Sequence, residues 1–152
     1  MTATQTGSEP GSHILIVDDN EMGLLARKQV LSELGHRVTV VSSATEAIRR
    51  FTSEPFDLVI TDYRMPDMDG IEIIKRVRAH RRDIPIVLIS GFTNALGLNE
   101  TTTGADIVLQ KSALEVSQLI RAVNRLLRRG ASPPKKRVTL QKKSAAASKR
   151  TG

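Results

Sequence analysis

The chain has 152 residues, enough for one well-buried domain but not for two of ordinary size. With 39% hydrophobic and 26% charged residues it reads as a globular protein, and the absence of cysteine excludes disulfides, thiolate metal sites and cysteine nucleophiles. The net charge of +7 suggests a nucleic-acid binder until it is located. Residues 131–152 hold seven cations (Lys135, Lys136, Arg137, Lys142, Lys143, Lys149 and Arg150) and no acid, so of the 23 basic residues the 16 left in the first 130 match all 16 acidic ones. The excess charge belongs to the tail, not to the domain.

The polar N-terminus, residues 1–12, has no apolar stretch of the signal-peptide kind and reads as disordered. No apolar run approaches the roughly 20 residues that span a bilayer, so a cytoplasmic protein without a membrane partner is expected. From there short apolar runs alternate with segments of helical spacing. The strand candidates are His13–Val17, Arg37–Val41, Asp57–Thr61, Ile84–Ile89 and Asp106–Leu109. Most lack polar alternation, as strands buried on both faces of a parallel sheet should.

Between the strands, Met22–Leu34 is helix-like, with Asn20 as its cap and Gly35 closing it. Ala44, Ala47, Ile48 and Phe51 repeat at helical intervals, and Ile71–Val77 is a third helix candidate. Phe92–Thr103 contains Gly97 and three successive threonines, which supports only a short or frayed helix. Val116, Leu119, Ile120, Val123, Leu126 and Leu127 form the stripe of a last helix, for which Ser112 and Glu115 have capping-box spacing. A domain over 13–130 and a disordered basic tail over 131–152 follow. His13, His36 and His80 stand alone and read as surface or strand-edge residues.

The strand ends carry the chemistry. The first strand ends in Asp18-Asp19, the third in Asp62, the fourth in Ser90, and the fifth reaches Lys111. In an open parallel sheet the carboxyl ends of the strands line the ligand crevice, so these groups are expected to converge. Clustered carboxylates without His or Cys favour a hard cation such as Mg2+. Beside it a carboxylate such as Asp62 can act as a nucleophile toward phosphorus, with Lys111 and Ser90 placed to meet the charge on the phosphoryl oxygens.

Asp62-Tyr-Arg-Met-Pro-Asp-Met-Asp-Gly70 resembles the phosphorylation loop of the response-regulator receiver family, and Ile14-Leu-Ile-Val-Asp-Asp19 is similar to that family's opening strand and acidic pair. Ile86-Val-Leu-Ile-Ser-Gly91 and Gly104-Ala-Asp-Ile-Val-Leu-Gln-Lys111 look like its fourth and fifth strand ends, so the resemblance covers roughly residues 13–129. It implies a doubly wound α/β fold with a five-stranded parallel sheet in the flavodoxin-like order 2-1-3-4-5. It implies Asp62 as phosphoacceptor, and Asp18, Asp19, Asp62 and the Arg64 backbone carbonyl as ligands of Mg2+. Ser90 and Lys111 would bind the phosphoryl group and act as switch residues, while Met65, Pro66 and Gly70 would shape the loop. The partner implied is a sensor histidine kinase or a phosphotransfer protein, with an output protein reached by contact, and the only catalysis is the domain's own phosphotransfer and dephosphorylation.

Two positions depart from the family pattern: Ser112 stands where proline usually follows the lysine, and Val108 where an aromatic switch is common. Signalling is therefore expected to run through Ser90 and the segment Phe92–Thr103. A phosphohydrolase of the aspartate-nucleophile class is disfavoured, because the position two residues on, where a second aspartate would stand, is Arg64 after Asp62 and Asn20 after Asp18. With 22 residues after the last helix, no attached output domain is expected. The tail, lacking aromatic residues for stacking, would offer non-specific contact to nucleic acid or an acidic surface. A degenerate receiver acting through that tail is the alternative, and homodimerisation through the last two strand–helix units is open.

Overall fold

In the computed structural model, residues 11–91 and 93–131 are described. The expectations for residues 1–10, Phe92 and the tail from 132 onward lie outside these residues. Five strands, β1 (His13–Val17), β2 (Arg37–Val41), β3 (Leu58–Asp62), β4 (Ile86–Ser90) and β5 (Ile107–Gln110), form one sheet in the order β2-β1-β3-β4-β5. All four pairings are parallel. The helices are α1 (Glu21–Glu33), α2 (Ala44–Ser53), α3 (Gly70–His80), α4 (Thr93–Leu96), α5 (Glu100–Thr103) and α6 (Glu115–Ala131).

Strand side chains alternate between two apolar layers, which is why the strands read as continuous hydrophobic runs. Leu15, Val17, Val59, Ile86 and Leu88 meet α2 and α3 through Ala47, Phe51, Ile73, Ile74 and Val77. Ile14, Ile16, Ile60, Val87 and Ile89 meet α1 and α6 through Leu24, Leu31, Leu119, Val123 and Leu126. The sheet is thus covered on both faces, as expected.

Three strands begin one or two residues later than the hydrophobic runs suggest. Asp57 and Asp106 lie outside the ladder because their carboxylates accept the His13 and Ile86 N–H groups, at 2.8 Å each. Pro85, with no N–H, offers only its carbonyl to Val59. At the other end Asp62 and Ser90 are the last residues of β3 and β4, not the first beyond them.

The caps follow the sequence. Asn20 accepts the Gly23 N–H, and Gly35 at φ 97° lets the Gly35 and His36 N–H groups return to Ser32 and Leu31 at the end of α1. Three expectations change. Ser112 and Glu115 do not close a capping box: the Ser112 hydroxyl accepts the Leu114 N–H, and the Glu115 carboxylate turns to Arg27. Val116 is exposed, and Ala122 joins the buried stripe in its place. His13 is buried on an inner strand, its ring bonded to the Pro55 carbonyl and the Thr39 hydroxyl. Within the segment expected to be a short or frayed helix, residues 93–103 hold two single helical turns, the second with an Asn99–Thr102 capping box. No helix among the described residues is long and apolar enough to cross a membrane.

Candidate functional site: an acidic pocket at the strand ends

Parallel pairing places the ends of β1, β3, β4 and β5 side by side, so the residues that follow them share one edge of the sheet. Asp18, Asp19 and Asp62 each bring a carboxylate oxygen within 4.8 Å of the other two. Asp18 and Asp62 are buried at 1% and 5% exposure, whereas Asp19 opens to solvent. Lys111 Nζ lies 2.8 Å from Asp62 Oδ1, and the Lys111 N–H donates to the Ser90 carbonyl at 2.9 Å, drawing the end of β5 against β4. Ser90 itself is buried, with 2% exposure. Four sequence segments expected to converge therefore do so.

The electrostatics follow from burial. Loss of water pushes the Asp62 carboxyl above its ordinary range, the Asp18 charge pushes the same way, and Lys111 opposes both. Hard oxygen donors at this spacing, partly desolvated and open on one side, suit a divalent cation of the Mg2+ kind. Nitrogen- or sulfur-preferring metals find no partner in this trio.

The loop after β3 is closed by the Gly70 N–H donating to the Tyr63 carbonyl at 2.7 Å. A Cβ at Gly70 would fall 2.7 Å from the Asp62 carbonyl oxygen, 2.7 Å from Leu88 Cδ1 and 3.0 Å from Tyr63 Cα. That close approach, not a special backbone angle, requires glycine. Met65 and Met68 pack against the core, anchoring the loop, while Arg64 and Pro66 are exposed. Asp67 bonds the Ala44 and Thr45 N–H groups and the Thr45 hydroxyl, tying the loop to the start of α2. At the other rim, the Thr93 hydroxyl bonds Gln110 Oε1, and the Glu100 carboxylate accepts the Val108 N–H at 2.8 Å. Both connect the α4–α5 segment to β5.

Sequence reasoning missed Arg27. It stands on α1 between Leu24 and Leu31, on the buried stripe, and is only 6% exposed. Its Nη1 donates to Asp18 Oδ2 at 2.6 Å and its Nε to Glu115 Oε2 at 2.7 Å. The available signal was a cation at a core position of an otherwise apolar stripe, which demands buried anions nearby.

A family model, the response regulator receiver domain, matches residues 14–124. The chain belongs to the response regulator receiver family. It is 34% identical over 133 residues to the two-component response regulator ORR5 of Oryza sativa subsp. japonica, covering 84% of this chain and 98% of that protein. A 66-residue match at 36% identity to the Probable histidine kinase 1 of Oryza sativa subsp. indica spans 43% of this chain but only 7% of the kinase. Among solved structures, the response regulator protein TrrA from Thermotoga maritima, in complex with Mg(2+)-BeF, is similar with a TM-score of 0.69. The identity there is 29%, over 76% of this chain and 98% of that one. The receiver family acts in two-component signalling as a phosphoacceptor and not as a conventional enzyme, and the doubly wound sheet of this chain agrees with it.

Proposed function

We propose that this receiver accepts a phosphoryl group on Asp62 from the phosphohistidine of a sensor histidine kinase or phosphotransfer protein, and passes the signal on by protein contact. The observation that carries the reading is the pairing of Asp62 with Lys111 inside a pocket shared with Asp18 and Asp19. Asp18, Asp19, Asp62 and the Arg64 carbonyl would hold Mg2+. When bound, the ion supplies positive charge to the crowded carboxylates and to the phosphoryl oxygens.

The remaining chemistry lies with the chain. An ionised Asp62 oxygen forms the O–P bond as the N–P bond of the donor breaks, the electron pair leaving with the imidazole nitrogen. Lys111, released from its ground-state partner, pairs with a phosphoryl oxygen, and the Ser90 hydroxyl donates to another. Met65, Pro66 and Gly70 keep the loop closed enough for Asp62 to stay aligned. Exposed Met22 and Leu25 on α1, with Leu114 just before α6, supply apolar surface for docking the donor, on two elements joined by Arg27 and Glu115. The α4–α5 segment, bonded to β5 at Gln110 and Val108, takes the place of an aromatic switch.

Intact-mass analysis after incubation with acetyl phosphate and Mg2+ tests this. One phosphoryl adduct, roughly 80 Da, is expected on the wild type and absent from Asp62→Ala and from chelated samples. No adduct with any donor would overturn the reading and leave a degenerate receiver with its basic tail as the functional element.

A further inference from the structure

Asp18 has both carboxylate oxygens engaged by groups of the chain itself. Oδ1 accepts the Asn20 N–H at 2.9 Å, and Oδ2 takes Arg27 Nη1 at 2.6 Å. The guanidinium is equally committed, because its Nε reaches Glu115, the first residue of α6, at 2.7 Å. Both ion pairs are well shielded, with side-chain exposures of 7% for Arg27, 1% for Asp18 and 13% for Glu115. Burial pulls the Arg27 pKa down, but the bonds to Glu115 and Asp18 outweigh it and hold the group above its ordinary value. A guanidinium keeps its charge across the pH range of proteins whatever its surroundings. A planar guanidinium can serve two carboxylates at once, which a single ammonium point charge does less well. Gly23 leaves space for it, since a Cβ there would lie 3.3 Å from Arg27 Nη1 and 3.4 Å from Asp18 Oδ2.

We propose that Arg27 is a built-in counter-cation that sets the affinity of the acidic pocket for its divalent cation and carries the pocket's occupancy to the start of α6. This rests on the reading that Asp18, Asp19 and Asp62 hold that cation. A dication drawn to the same carboxylates competes for the charge of Asp18 and repels the guanidinium across a poorly screened interior. Any weakening of the Asp18–Arg27 bond leaves Arg27 more strongly held by Glu115, and so by α6. Coupling of this kind is reciprocal: a contact that draws Arg27 toward Glu115 raises cation affinity, and loss of Glu115 lowers it.

The experiment is calorimetric titration of the full chain with MgCl2 at fixed ionic strength, for wild type, Arg27→Met and Glu115→Gln, with amide shifts of residues 113–117 followed by NMR. Arg27→Met keeps the aliphatic bulk and is expected to bind Mg2+ on the order of tenfold more tightly. Glu115→Gln, which leaves Arg27 to Asp18 alone, is expected to bind about threefold more weakly. Mg2+ should shift the 113–117 amides of the wild type but not those of Arg27→Met. Unchanged or weaker binding by folded Arg27→Met overturns the proposal, as do amide shifts that survive it. Should that variant fail to fold, Glu115→Gln binding as tightly as wild type, or more so, overturns it equally. Equal Mg2+ affinity in all three proteins sinks the role of Arg27 alone, whereas no binding by the wild type sinks it together with the metal reading of the pocket.

Discussion

Replacing Gly70 by alanine puts a single methyl group into a closed space at the start of α3. Two of its three contacts would be to backbone, the Asp62 carbonyl oxygen at 2.7 Å and Tyr63 Cα at 3.0 Å, and the third to Leu88 Cδ1 at 2.7 Å. None can yield freely. The Tyr63 N–H is bonded to Ile89 and its carbonyl to Gly70, while Leu88 is fully buried. Alanine would otherwise gain up to about 1 kcal/mol of helix propensity at the start of α3. Overpacking a rigid site costs about 1–3 kcal/mol, so a net loss of roughly 1–2 kcal/mol is expected. For a domain of this size that lowers Tm by about 4–10 °C. Phosphorylation should fall with it, because the displaced atom is the carbonyl of the acceptor residue. Circular dichroism melts of Gly70→Ala beside Gly91→Ala make the comparison, since a Cβ at Gly91 meets nothing within 4 Å. If both variants melt together near the wild-type temperature, the close approach at Gly70 is not what requires glycine.

Asp62→Asn is expected to stabilise the fold at neutral pH, because the folded protein holds the Asp62 carboxyl above its ordinary range, first through burial and then through Asp18. Below the ordinary carboxylate pKa both the folded and the unfolded state are protonated and the difference vanishes. As pH rises to the elevated folded value the unfolded chain ionises first, and wild-type stability falls relative to the variant before levelling off. Denaturant melts from pH 3 to 8 would contradict this if the advantage of the variant grew toward acid. For the signalling route, beryllofluoride with Mg2+ is expected to shift the amides of residues 93–103 and of Val108, whose N–H is held by Glu100. Unmoved shifts there would exclude the α4–α5 segment as the output path.

The strand runs, the caps Asn20 and Gly35, and the convergence of Asp18, Asp19, Asp62, Ser90 and Lys111 were legible in the sequence. Period and end residues of a parallel sheet are local properties, and the crossover geometry forces strand ends to one edge. Local pattern also misled where a side chain had a distant alternative. Ser112 and Glu115 have capping-box spacing, but the Glu115 carboxylate is drawn to a buried guanidinium that began 88 residues earlier in the chain. Asp57 and Asp106 adjoin hydrophobic runs, yet each spends its carboxylate on the backbone of a neighbouring strand. The sequence by itself determined the layer architecture and the chemical inventory of the pocket, because both depend on residue type and periodicity. The tertiary structure alone decided that Arg27 neutralises Asp18, that Asp67 ties the acceptor loop to α2, and that Gly70 lies against the Asp62 carbonyl. Each is a contact across chain separations that no local pattern encodes, selected by the need of buried charges and backbone atoms for partners or for space.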